Sequence, residues 1–181
     1  YDLTSGNNNV LVGTDAGANA TNAINNVVIG SGAADNAGAT DYKQNVIVGS
    51  GACGAGALAN ASSTQGMNNV VVGYLAGEDL STGEANIIIG SSAGLNFTDN
   101  HNNVAIGIRA MDAATGGEHN NVAIGTDALG TENSNADYCV AVGRGALGAQ
   151  NADVKNTAIG GLAGDAITNG TANTYVGYLA G

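Results

Sequence analysis

The chain has 181 residues, with 30 Gly, no Pro, no Trp, 4% aromatic and 10% charged residues, and a formal net charge of −11. Four Lys+Arg against fifteen Asp+Glu disfavour a phosphate backbone as partner, so no nucleic acid is expected. Bulky apolar side chains are too few for a thick globular core, whereas 44% hydrophobic content with low charge excludes a disordered tail, and no apolar run approaches the roughly 20 residues of a membrane span.

The first predicted element is the β-branched run Val10 to Val12, bounded by Asn9 and Gly13. The same phrase then returns down the chain, closing on Gly30, Gly49, Gly73, Gly90, Gly107, Gly125, Gly143, Gly160 and Gly177. The intervals are 17, 19, 24, 17, 17, 18, 18, 17 and 17. Three residues after every glycine stands Ala, and one before stands Ile or Val. Four before stands Asn in nine copies (Asn9, Asn26, Asn45, Asn69, Asn86, Asn103, Asn121, Asn156 and Asn173), with Cys139 in the remaining one. A nearly fixed short period signifies a solenoid, and this one is too short for helix-pair repeats.

Each phrase predicts a strand of about four or five residues, then a second short extended piece through the Ala, then a polar loop. The expected fold is all-β: a parallel β-solenoid (β-roll) of ten short coils of about 17 residues, with residues 1–181 as one repeat domain. Stacked Asn side chains carry both donor and acceptor, so the Asn row is expected to form a structural ladder, and Asn also tolerates left-handed angles where a strand begins. The glycine is expected to supply a positive-φ bend.

Side chains alternate between the two faces of a strand. With the residues three and one before each glycine taken as inward, the residue between them faces out. That row reads Leu11, Val28, Ile47, Val71, Ile88, Ala105, Ala123, Ala141, Ala158 and Tyr175. An apolar outer row implies a cover, so these residues are the predicted chain–chain interface, with a second copy about a symmetry axis as the cover. The change from bulky residues to Ala predicts chains lying closer over the second half.

Cys53 and Cys139 lie five rungs apart, about 24 Å at ~4.8 Å per rung. A disulfide needs Cα atoms within about 7 Å, so no intrachain bridge is expected. Cys139 is expected as a buried small hydrophobe and Cys53 as a turn thiol. His101 and His119 each stand six before their glycine and are candidates for a metal or pH-sensitive site, although no further ligand set completes a coordination shell. Asn19, Asn60, Asn96 and Asn169 open N-glycosylation triplets. Ser50–Met67 is a long insertion, and insertions in solenoids often lie on a binding face. Tyr42, Phe97 and Tyr138 are candidates to stack on sugar. Paired catalytic carboxylates, GxSxG, HExxH and a P-loop are all missing from the sequence, so neither catalytic residues nor a cofactor are expected.

The phrases NNVAIGIRA, NNVAIGTDA, NTAIGGLAG and NTYVGYLAG resemble the repeats of bacteriophage tail-fibre and tail-spike shafts, and also the β-roll heads of trimeric autotransporter adhesins. The resemblance covers essentially the whole chain. It implies a left-handed solenoid, three chains about one axis, exposure on a virion or cell surface outside the cell, and a role in attachment to a surface glycan or receptor. The 17-residue coil is longer than the autotransporter repeat, so the phage-type fibre is the nearer likeness.

Across the two ends the text reads GYLAGYDLTSGNNNVLVG, which again spaces the glycines by 17. Two expectations follow: a segment of a longer fibre, or copies that stack end to end into an extracellular filament. A surface-binding ladder of Thr is a third reading. It fails on the residue after each glycine, which is Thr, Ser, Tyr, Ile, Arg or Gly without order.

Overall fold

Each phrase folds into one three-residue strand: β1 (Val10–Val12), β2 (Val27–Ile29), β3 (Val46–Val48), β4 (Val70–Val72), β5 (Ile87–Ile89), β6 (Val104–Ile106), β7 (Val122–Ile124), β8 (Val140–Val142), β9 (Thr157–Ile159) and β10 (Thr174–Val176). The computed structural model describes residues 6–35, 42–56, 58, 66–131, 136–150 and 155–181. The ten strands form one parallel sheet in the order of the sequence, each in register with the next. The chain is therefore an all-β parallel β-solenoid with turns of about 17 residues, as the repeat predicts.

The strands are shorter than expected because left-handed backbone brackets them. The residue five before each glycine has positive φ, from Asn8 (φ 57) to Ala172 (φ 54). The left-handed residue is thus the neighbour before the ladder Asn, not that Asn itself. At the other end each glycine bends the chain, with φ 137 at Gly90. A Cβ there would lie 2.4 Å from the carbonyl oxygen of Gly107, so glycine is required for both its φ and its lack of a side chain.

The segment after the glycine is a turn rather than the second extended piece that the sequence suggests. Ala16 N donates to Gly13 O across one turn (3.3 Å), and Gly17 N donates to Ala33 O of the following coil (2.8 Å). Left-handed residues two and four after the glycine, such as Leu75 (φ 51) and Leu129 (φ 49), prevent a strand from continuing. The invariant Ala three after the glycine is fully buried from Ala16 to Ala163, where only a methyl group fits.

The interior overturns the inward–outward assignment. The central residue of each strand points into the coil: Val28, Ile47, Val71, Ile88, Ala105, Ala123, Ala141 and Ala158 are fully buried, and Leu11 and Tyr175 pack against them at the two ends. The predicted interface row is therefore core within one chain. The bulky-to-Ala change reflects internal packing and not the approach of neighbouring chains. Opposite this row stands the residue four after the glycine, and the two trade size. Val71 and Ile88 face Gly77 and Gly94, where a Cβ would sit 3.5 Å from Val71 Cγ1 and 3.3 Å from Ile88 Cγ2. In the next three coils the strand residue shrinks to Ala105, Ala123 and Ala141, and the same turn position becomes Met111, Leu129 and Leu147, all fully buried. Fully burying one such side chain stabilises the fold by about 1.5–3 kcal/mol, and close packing makes the two positions compensate in size over these five coils.

Candidate functional surface: the outer face of the sheet

Alternation turns the first and third residue of every strand outward. All twenty are Val, Ile or Thr, residues whose branched Cβ suits a pleated surface. None is fully buried: Val46 and Ile87 are each 39% exposed in the middle of the sheet, Ile159 is 44% exposed, and Val12 is 54% exposed at its edge. Tyr74 and Ile108, one residue past their glycines, are also exposed. The strip is about 10 Å wide, at ~3.3 Å per residue, and about 43 Å long, at ~4.8 Å per rung. An apolar strip of roughly 430 Å² matches the largest patch of a typical soluble protein, a patch that is often functional.

Behind the strip the Asn row forms the predicted ladder. Each Oδ1 accepts the backbone N–H of the next Asn: Asn69 from Asn86 (3.0 Å), Asn86 from Asn103 (3.0 Å), and Asn103 from Asn121 (2.9 Å). Each Nδ2 reaches a carbonyl at the start of the following coil, as Asn86 does to Asn100 O (2.7 Å) and Asn103 to Glu118 O (2.7 Å). The ladder begins at Asn9, which accepts from Asn26 N (3.0 Å), and continues through Asn45. Cys139 donates its N–H to Asn121 Oδ1 (2.8 Å) but has no amide to pass on. Buried Gln150 spans that rung: its Nε2 lies 3.0 Å from Cys139 Sγ, and its Oε1 accepts from Asn156 Nδ2 (3.2 Å). The ladder resumes where Asn156 Oδ1 accepts from Asn173 N (2.8 Å). Nothing in the repeat itself pointed to Gln150, which acts only because one rung lacks its Asn.

Both cysteines are free and buried, as the rung arithmetic requires. Burial pushes the Cys53 thiol far above its usual range, and it pushes the nearby Tyr42 hydroxyl up to about 12. The Tyr42 hydroxyl is buried without a hydrogen-bond partner. Tyr42 and Phe97 are core residues and cannot stack on a sugar, whereas Tyr138 is 60% exposed. Residues 57 and 59–65 of the long insertion, Asn60 among them, lie outside the described residues. Asn19 Nδ2 donates to Asp35 O (2.9 Å) and Asn96 Nδ2 to Asp112 O (2.6 Å), so these two glycosylation candidates already bridge coils.

His101 and His119 stack on consecutive rungs, with ring centroids 5.0 Å apart and an angle of 22° between planes. His101 Nδ1 accepts the Glu84 N–H (3.0 Å), and His119 Nδ1 accepts the His101 N–H (3.1 Å). Asp137 Oδ1 continues the row by accepting the His119 N–H (2.6 Å). The column thus splices backbone amides between coils. Among the described residues no group of three or more His, Cys, Asp or Glu is arranged to hold a metal ion. Beside it, the buried Glu118 carboxylate accepts from Asn100 Nδ2 (2.6 Å) and Gly116 N (3.0 Å) and closes that corner of the coil.

No known family model matches the chain, and neither a curated protein nor a solved structure gives a match.

Proposed function

We propose that the chain is a non-enzymatic structural segment of a trimeric fibre, displayed outside the cell on a virion tail or a cell surface, where it supports attachment to a host or surface. The observation that carries this reading is the outer sheet face, with ten rungs of paired β-branched side chains open to solvent. A surface that repeats every rung is best covered by something with the same repeat, and another copy of the chain has it. Three copies about an axis, and the attachment role, rest on the resemblance of the NNVAIG phrases to fibre and adhesin repeats. The ladder and the glycine column make a stiff rod, which suits a spacer that holds a binding tip away from a particle.

The test is the solution mass of the full chain by light scattering. The expected value is three times 17.5 kDa, or 52.5 kDa. Placing Lys at Ile87 and Ile89, the outward pair of β5, is expected to reduce the mass to 17.5 kDa with an unchanged circular dichroism spectrum. A wild-type monomer, or a trimer that survives both lysines, would overturn the reading. A mass that climbs with concentration would favour the alternative, an extracellular filament built by end-to-end stacking of solenoids through β1 and β10.

A further inference from the structure

Coils six to nine share a groove on the corner formed by the residues that follow each glycine. Its volume is about 520 Å³, within the range of small-molecule sites. Coil eight forms the floor with Gly145 and Gly148. A Cβ on Gly145 would meet Leu162 Cδ2 at 2.8 Å, so a side chain there would push Leu162 out of its place in the groove wall. Thr131 Oγ1 donates to Gly148 O (2.5 Å) and ties one wall to the floor.

The walls concentrate charge. Both arginines of the chain, Arg109 and Arg144, line this groove, although the chain as a whole carries −11. Arg109 is committed: its Nη2 lies 2.7 Å from Asp127 Oδ1, and its Nε donates to the same oxygen (2.8 Å). Arg144 makes no ion pair among the described residues, so one guanidinium is left to meet an anion. Asp112 and Asp165 supply acceptor-only carboxylates on coils six and nine, three rungs or about 14 Å apart. That separation is too great for one ammonium group or one metal ion to satisfy both. A ligand with donors spread along its length can do so. Burial raises the affinity of the Asp112 carboxyl for its proton, an effect partly offset by its own backbone amide and by Arg109, and a hydroxyl donor from a ligand would satisfy that carboxylate without adding charge.

We propose that this groove binds a short saccharide carrying a single carboxylate, with the carboxylate on Arg144 and ring hydroxyls donating to Asp112 and Asp165. The site lies within one chain and does not depend on the fibre reading. Its failure would leave the apolar face and the oligomer untouched.

The experiment is a titration of the ¹⁵N-labelled full chain with cellobiouronate, followed by amide shifts. Saturable shifts are expected at Gly145, Gly148 and Thr131. Arg144→Gln is expected to weaken binding about tenfold, equivalent to ~1.4 kcal/mol, and Arg144→Lys to weaken it less. Cellobiose, which lacks the carboxylate, and acetate, which lacks the rings, are each expected to bind more weakly than cellobiouronate. The proposal is overturned if no shift saturates, if Arg144→Gln binds like the wild type, if cellobiose binds equally well, or if acetate reproduces the full effect.

Discussion

In coil five the bulk sits on the strand, at Ile88, and the turn position opposite is Gly94; in coil seven the bulk sits on the turn, at Leu129, opposite Ala123. Rebuilding coil seven in the pattern of coil five takes two substitutions, Ala123→Ile and Leu129→Gly. Ala123→Ile alone overpacks a filled coil and is expected to cost about 1–3 kcal/mol. Leu129→Gly alone leaves a cavity worth about 2–5 kcal/mol, reduced by about 1 kcal/mol because the residue sits at φ 49, where glycine is unstrained. Independent effects would sum to roughly 4 kcal/mol, whereas the double variant is expected to lose only about 1 kcal/mol, a coupling of roughly 3 kcal/mol. Urea unfolding of the four proteins, compared at a common slope, measures it. A double variant that loses the full sum would refute the claim that the two positions share one volume.

The ladder makes a second prediction. Asn86→Ala strips the buried Asn103 N–H of its acceptor and Asn100 O of its donor, so at about 1–3 kcal/mol per orphaned group it is expected to cost ~3 kcal/mol or more. Asn173→Ala, on a half-exposed rung, is expected to cost less than ~1 kcal/mol in the same urea assay. A third concerns pH. Cys53 and Tyr42 both have folded values raised by burial, so the folded chain keeps protons that the unfolded chain releases. Their stabilisation is complete below about pH 8, where the unfolded thiol begins to ionise, and it declines as pH rises. Urea midpoints should therefore fall from about pH 8 upward, and Cys53→Ala should flatten that fall. A midpoint independent of pH across this window would show that neither group is buried as described.

The repeat was legible in the sequence because every coil meets the same constraints. A backbone approaching within a Cβ of its neighbour allows only Gly, a closed corner allows only the methyl of Ala, and a buried amide column selects Asn. Those rules set the period, the strands, the register, the ladder and the free cysteines. The face of the strand was not legible by alternation, since both rows are apolar and period two does not say which is inside. The signal was nonetheless present in the pairing of Ile88 with Gly94 against Ala123 with Leu129, a size exchange that only facing core positions need. Gln150 beside Cys139, the stacked His101 and His119, and the groove around Arg144 depend on residues from different coils meeting at one corner. The ladder follows from the repeat alone, because identical residues at a fixed period must stack. Which side of that ladder meets water is settled by the folded coil, because burial is a property of the closed coil and not of the strand.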